Sequence, residues 1–228
     1  MKTLDNDLVE GKEVLVNSDF ALTENAKILR NEALKQYFSF STKRITMMAM
    51  ILVLNIFLSW ISVLIFQPFL IGGFLRLEIS FLSYLICWRM INGFYAIILV
   101  FPATWMRFIG IDPTAEPIGI MAMNLSDLFC MSITVLFGWI FRTKVNMEFK
   151  GSMYIKMIIV ALIAIFLTSC WNTLLNYVFI LELYGAGALK NTWFMATLFG
   201  FNVLKFTMNF GFYLIIHNTI ELIAKHHR

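Results

Sequence analysis

Long windows without a single charge constrain this chain more than any other feature. Ile45–Leu75, Met90–Met106 and Met157–Leu181 contain no Asp, Glu, Lys or Arg. From Asn191 to Ile220 the sole charged residue is Lys205. A helix needs about 20 largely apolar residues to cross the hydrocarbon of a bilayer, and a chain of such windows folds as membrane helices or not at all. Composition agrees: 60% of residues are hydrophobic and only 14% charged, against about 25% charged in soluble domains. The expected fold class is an all-α integral membrane protein, and the lipid bilayer is its first partner.

Six spans are expected, at about 45–67, 79–91, 92–109, 118–141, 153–181 and 193–222. Pro68 ends the first, and Asp112, Pro113 and Pro117 break the chain before the fourth. The second is the shortest, because few residues separate Glu78 from Arg89, and it reads equally as a buried or re-entrant piece. Residues 1–44 form a polar N-terminal tail with seven acidic and seven basic residues, so the net charge of +4 belongs to the membrane domain, 45–228. The tail has no signal-peptide pattern. Within it, Thr23 to Phe38 fits an amphipathic helix, with Thr23 as N-cap and Ile28, Leu29, Leu34 and Phe38 on roughly one side, and reads equally as a loosely ordered tail.

Lysine and arginine in the short loops give the orientation. Lys43, Arg44, Arg89, Arg142, Lys144, Lys150, Lys156, Lys225 and Arg228 fall on one side, with only Arg76, Arg107 and Lys190 on the other. Both termini are thereby expected in the cytoplasm, in the plasma membrane of the cell. Cys87, Cys130 and Cys170 lie in apolar stretches without metal-ligand or disulfide spacing, so they read as small buried hydrophobes. No composition or motif points to nucleic acid.

Lys205 demands a reason. A lysine at the middle of a span costs about 2.5–3.5 kcal/mol even on insertion scales, and normally faces a partner, cavity or ligand. Asn202, Lys205 and Asn209 share a helical face, as do Asn172 and Asn176 on the preceding span. Carboxamides and an ammonium together supply donors and acceptors for a multiply hydrogen-bonding molecule. Two other roles are open: asparagines as interhelical glue, and an intramembrane ion pair between Lys205 and Asp127 of the fourth span. Glu78, Arg76 and Glu182 read as interfacial.

Four stretches, in order, resemble the riboflavin-binding S components of energy-coupling factor (ECF) vitamin transporters. Phe74-Leu-Arg-Leu-Glu-Ile-Ser80 is similar to the family's Phe-Leu-Lys-Leu-Asp-Leu-Ser loop, and Gly119-Ile-Met-Ala-Met-Asn124 is a poorer match to its Gly-Glu-Leu-Ala-Asn segment. Leu175-Asn-Tyr-Val-Phe-Ile-Leu-Glu-Leu-Tyr-Gly185 is similar to its Asn-Tyr…Leu-Tyr-Gly element, and Phe201-Asn-Val-Leu-Lys205 with Asn209 to its Asn-x-x-Lys motif. The resemblance spans about 45–222 and implies a six-transmembrane-helix bundle of the S-component type. It implies contacts from Asn176, Asn202 and Lys205 to the flavin ring, with Asn124, Leu77 and Tyr177 completing the substrate-binding set. Riboflavin is then a transported ligand, and no cofactor is expected. The implied partners are a transmembrane coupling subunit (EcfT) and two ECF ATPase subunits, since the chain has no phosphate-binding Gly-rich loop of its own. Ile120 stands where the family has glutamate, Asn124 is one residue out of register, and the first span lacks the family's Ala-x-x-x-Ala spacing; these departures leave another vitamin or FMN open as substrate. No catalytic constellation appears, so the expectation is a non-enzyme. A membrane protein of another class, with Lys205 paired to Asp127, is the remaining reading.

Overall fold

A computed structural model describes residues 28–69, 75–108, 116–143 and 152–227. The chain divides into two compact units, Met1–Ser41 and Thr42–Arg228. In the first, residues 28–38 form a helix, α1, whose Ile28, Leu29, Leu34 and Phe38 are exposed. Thr23, the expected N-cap, lies outside the described residues.

The second unit is built from α2 (Thr42–Phe66), α3 (Phe81–Met90), α4 (Gly93–Trp105), α5 (Pro117–Thr143), α6 (Ser152–Leu175), the short α7 (Leu181–Leu183) and α8 (Thr192–His227). Between α6 and α7 the chain widens into one π-helical turn, Asn176–Ile180. The protein is all-helical among the described residues and a multi-pass membrane protein, with apolar segments where the charge-free windows place them. Four helices, within α2, α5, α6–α7 and α8, are long and apolar enough to cross a membrane. Of the six expected spans, these helices account for four, and the second and third expected spans fall on the shorter helices α3 and α4. At about 1.5 Å per residue, α3 reaches about 15 Å, half of the hydrocarbon thickness.

Burial explains why α3 tolerates being short. All seven residues from Phe81 to Cys87 are buried, the mark of a helix enclosed by protein rather than lipid. It packs against α2, α4, α5 and α8, with Phe81 edge-on to Phe206 at a centroid distance of 5.2 Å. Helix α2 is inverted relative to a soluble helix. Its buried face carries Asn55, Ser59 and Ser62, and its exposed face Met50, Val53, Phe57, Trp60 and Leu64. Lipid takes the apolar face, and interhelical hydrogen bonds the polar one.

Those polar side chains hold the irregular segment Leu75–Ser80. The Asn55 amide donates to the Ser80 carbonyl at 3.0 Å and to Ser83 Oγ at 2.8 Å. Ser62 Oγ accepts from the Ile79 N–H at 3.1 Å. From α8, Asn209 donates to the Glu78 carbonyl at 2.6 Å and accepts from the Leu82 N–H at 3.0 Å. Non-helical backbone inside a membrane protein survives only when its polar groups are satisfied in this way.

At the opposite end of the bundle, Arg89 of α3 pairs with Glu221 of α8 at 2.7 Å, and Arg44 lies 5.7 Å from the Tyr95 ring centroid. The start of α2 and the end of α8 therefore share one end of the unit.

Candidate functional site

On α8 every third or fourth residue is buried: Leu198, Phe201/Asn202, Lys205/Phe206, Asn209/Phe210, Tyr213, His217. The upper part of this stripe faces a cavity of about 410 Å³ at the end of the bundle away from Arg89 and Glu221. Its walls come from Leu75, Arg76 and Glu78, Arg107, the first turns of α5, the α6 end with its π turn, and α8. A π turn shifts side chains out of the ordinary helical register and recurs at functional sites. Here it begins at Asn176, itself in the wall.

Three of the expected site residues meet here: Asn176, Asn202 and Lys205 all line the cavity. The other three are placed differently. Asn124 is buried, its amide 3.5 Å from the Val100 carbonyl on α4, because the cavity-facing stripe of α5 runs through Gly119, Ile120, Met123 and Ser126. Leu77 is half-buried between the cavity-lining Arg76 and Glu78 but is not itself in the wall. Tyr177 is exposed, with Lys190 Nζ 5.2 Å from its ring centroid.

Asparagines form a connected chain across the α5–α6–α8 wall. The Asn172 amide donates to Ser126 Oγ and to Asn202 Oδ1, both at 2.7 Å. Asn202 donates in turn to the Leu198 carbonyl at 2.7 Å, and Asn176 to the Asn172 carbonyl at 2.8 Å. Asn172 Oδ1 is buried with no hydrogen-bond partner among the described residues. A buried carbonyl oxygen left unpaired costs about 1–3 kcal/mol. Asn172 belongs to the helical pair read from sequence with Asn176. Ser126 gave no sequence signal, since an isolated serine in a span is commonplace.

Two buried ion pairs stand beside the cavity. Lys205 Nζ lies 3.2 Å from Asp127 Oδ1, with both side chains buried. Arg107 pairs with Glu78, and they are 2% and 4% exposed. Glu78 also accepts from Ser59 Oγ at 3.0 Å, and Arg107 donates to Ser80 Oγ at 2.9 Å. The interfacial reading of Glu78 is thus corrected. Its loop folds inward between α2 and α8, where the Arg107 guanidinium neutralises the carboxylate. At the mouth, Tyr184 reaches over Gly119, where a Cβ would stand 3.1 Å from the phenol oxygen. Burial, then the neighbouring Glu116 carboxylate, raise the Tyr184 phenol above its usual range.

No protein-family model matches this chain, and no curated protein sequence matches it. Among solved structures, the S component of a bacterial ECF transporter is similar, with a TM-score of 0.63 at 18% identity. The match covers 80% of this chain and 98% of that one. The chain therefore has an S-component-like fold.

Proposed function

We propose that this protein is the substrate-binding membrane subunit of an ECF-type transporter and that its ligand is riboflavin. One observation carries the reading: in an S-component-like fold, the cavity gathers Asn176, Asn202 and Lys205 on one polar wall. These are the residues that the sequence motifs match to flavin contacts. A volume of about 410 Å³ lies within the roughly 300–1,000 Å³ usual for small-molecule sites.

The chemistry fits the isoalloxazine ring. Its imide N–H is flanked by carbonyls, and the carboxamides of Asn176 and Asn202 with the Lys205 ammonium offer both acceptors and donors to such an edge. Leu75, Ile120, Met123, Ile180, Leu198 and Phe201 supply the apolar part of a wall that also carries Arg76, Glu78, Arg107 and Glu116, and that part matches the apolar dimethylbenzene edge. The protein binds and hands over its ligand without chemical conversion. ATP hydrolysis and translocation come from a transmembrane coupling subunit (EcfT) and two ATPase subunits, and both termini face the cytoplasm of the plasma membrane.

Buried Lys205 and Asp127 fit this reading as well as the ion-pair alternative, because only the lysine of the two reaches the cavity wall. Purification from riboflavin-supplemented cells tests the proposal. The expected product is yellow, with a flavin absorption band that co-elutes with the protein. A colourless product that takes up no added riboflavin, while binding FMN or another vitamin, overturns the ligand assignment.

A further inference from the structure

We infer that Asp127 is a positioning residue for the ligand: it fixes the Lys205 ammonium at the cavity wall without touching the ligand itself. The inference rests on the riboflavin reading and deepens it. On α5 the wall is formed by Gly119, Ile120, Ala122, Met123 and Ser126, and Asp127 sits just behind, 1% exposed. Lys205 lines the cavity from α8, and its Nζ lies 3.2 Å from Asp127 Oδ1. Among the described residues this is its one hydrogen bond to an oxygen.

An ammonium has three donors, so two remain for groups entering the cavity. The head can thus bond Asp127 and a ligand carbonyl at once. Without a fixed partner, the flexible four-carbon stem of lysine would spread the ammonium over many rotamers. The neighbouring charges do not supply that partner. Glu78, within electrostatic reach of Lys205, is already paired with Arg107. Asp127 therefore both compensates and aims the lysine.

A double-mutant cycle tests this, read by quenching of riboflavin fluorescence and by the flavin absorption band at saturation. Lys205→Ala and Asp127→Asn are each expected to weaken binding by about 10- to 100-fold, the range for hydrogen bonds to charged groups. The double variant is expected to bind no more weakly than Lys205→Ala alone. At saturation, Asp127→Asn should give the band shape of Lys205→Ala, and Asp127→Glu should restore that of the wild type. Asp127→Ser takes the place of Asp127→Asn if the latter does not fold.

Wild-type affinity in the Asp127 variant overturns the inference. So do additive losses with a wild-type band, which mark a general loss of stability. If the wild-type protein does not bind riboflavin, the ligand reading falls and this inference with it. Normal wild-type binding with an indifferent Asp127 variant removes the inference alone.

Discussion

The Glu78–Arg107 pair makes the sharpest residue-level demand. Both groups are buried, and Ser59 and Ser80 complete their hydrogen bonding. Removing one partner strands a buried charge, which typically costs about 3–5 kcal/mol, whereas replacing both with apolar groups costs far less. Arg107→Met is thus expected to lower the detergent-unfolding midpoint strongly, and Glu78→Leu with Arg107→Met to recover much of it; equal loss in both would contradict this account. Asn202 is held by Asn172 and by the Leu198 carbonyl, so its position is preset before a ligand arrives. Asn202→Ala is expected to weaken riboflavin by about 10-fold, one neutral hydrogen bond plus the loss of preorganisation, measured by fluorescence titration. Lys205 was legible in sequence because a charge inside an apolar window stands out. Glu78 and Arg107 were not, because each sits at the edge of a window, where a charge is normally solvated. Only the inward fold of Leu75–Ser80 brings them together.

At the scale of elements, the apolar windows announced the helices because a bilayer forces backbone groups to pair within each segment. The central place of α3 was hidden. Its run from Phe81 to Cys87 has no one-sided pattern, since a helix buried on every side needs none. The π turn at Asn176 was hidden too, as nothing in Asn-Tyr-Val-Phe-Ile distinguishes it from an ordinary helical turn. Helix contacts carry their own test. A Cβ on Gly93, at the start of α4, would stand 2.5 Å from Val135 Cγ1 of α5. Gly93→Ala is therefore expected to destabilise by about 1–3 kcal/mol through overpacking. Val135→Ala in the same chain should relieve most of that in thermal unfolding, and no relief would place the strain elsewhere.

For the whole molecule, the cavity and the Arg89–Glu221 pair occupy opposite ends of the bundle. The proposed orientation puts the cavity mouth outside. A cysteine at Glu116 in a Cys170→Ser background should react with a membrane-impermeant thiol reagent on intact cells, and one at Lys43, just before the first span, only after lysis; the reverse pattern would invert the topology. Spacing put Asn202 and Lys205 on one helical face, and the family resemblance implied Asn176 beside them. The off-wall places of Asn124, Leu77 and Tyr177 depend on helix rotation and loop path, which the motifs do not encode. Titration of purified, ligand-free protein with riboflavin bears most directly on the central claim. The account predicts saturable quenching of riboflavin fluorescence at one molecule per chain, strongly reduced in Lys205→Ala. Absence of quenching in the folded wild-type protein, or equal quenching in Lys205→Ala, would contradict it.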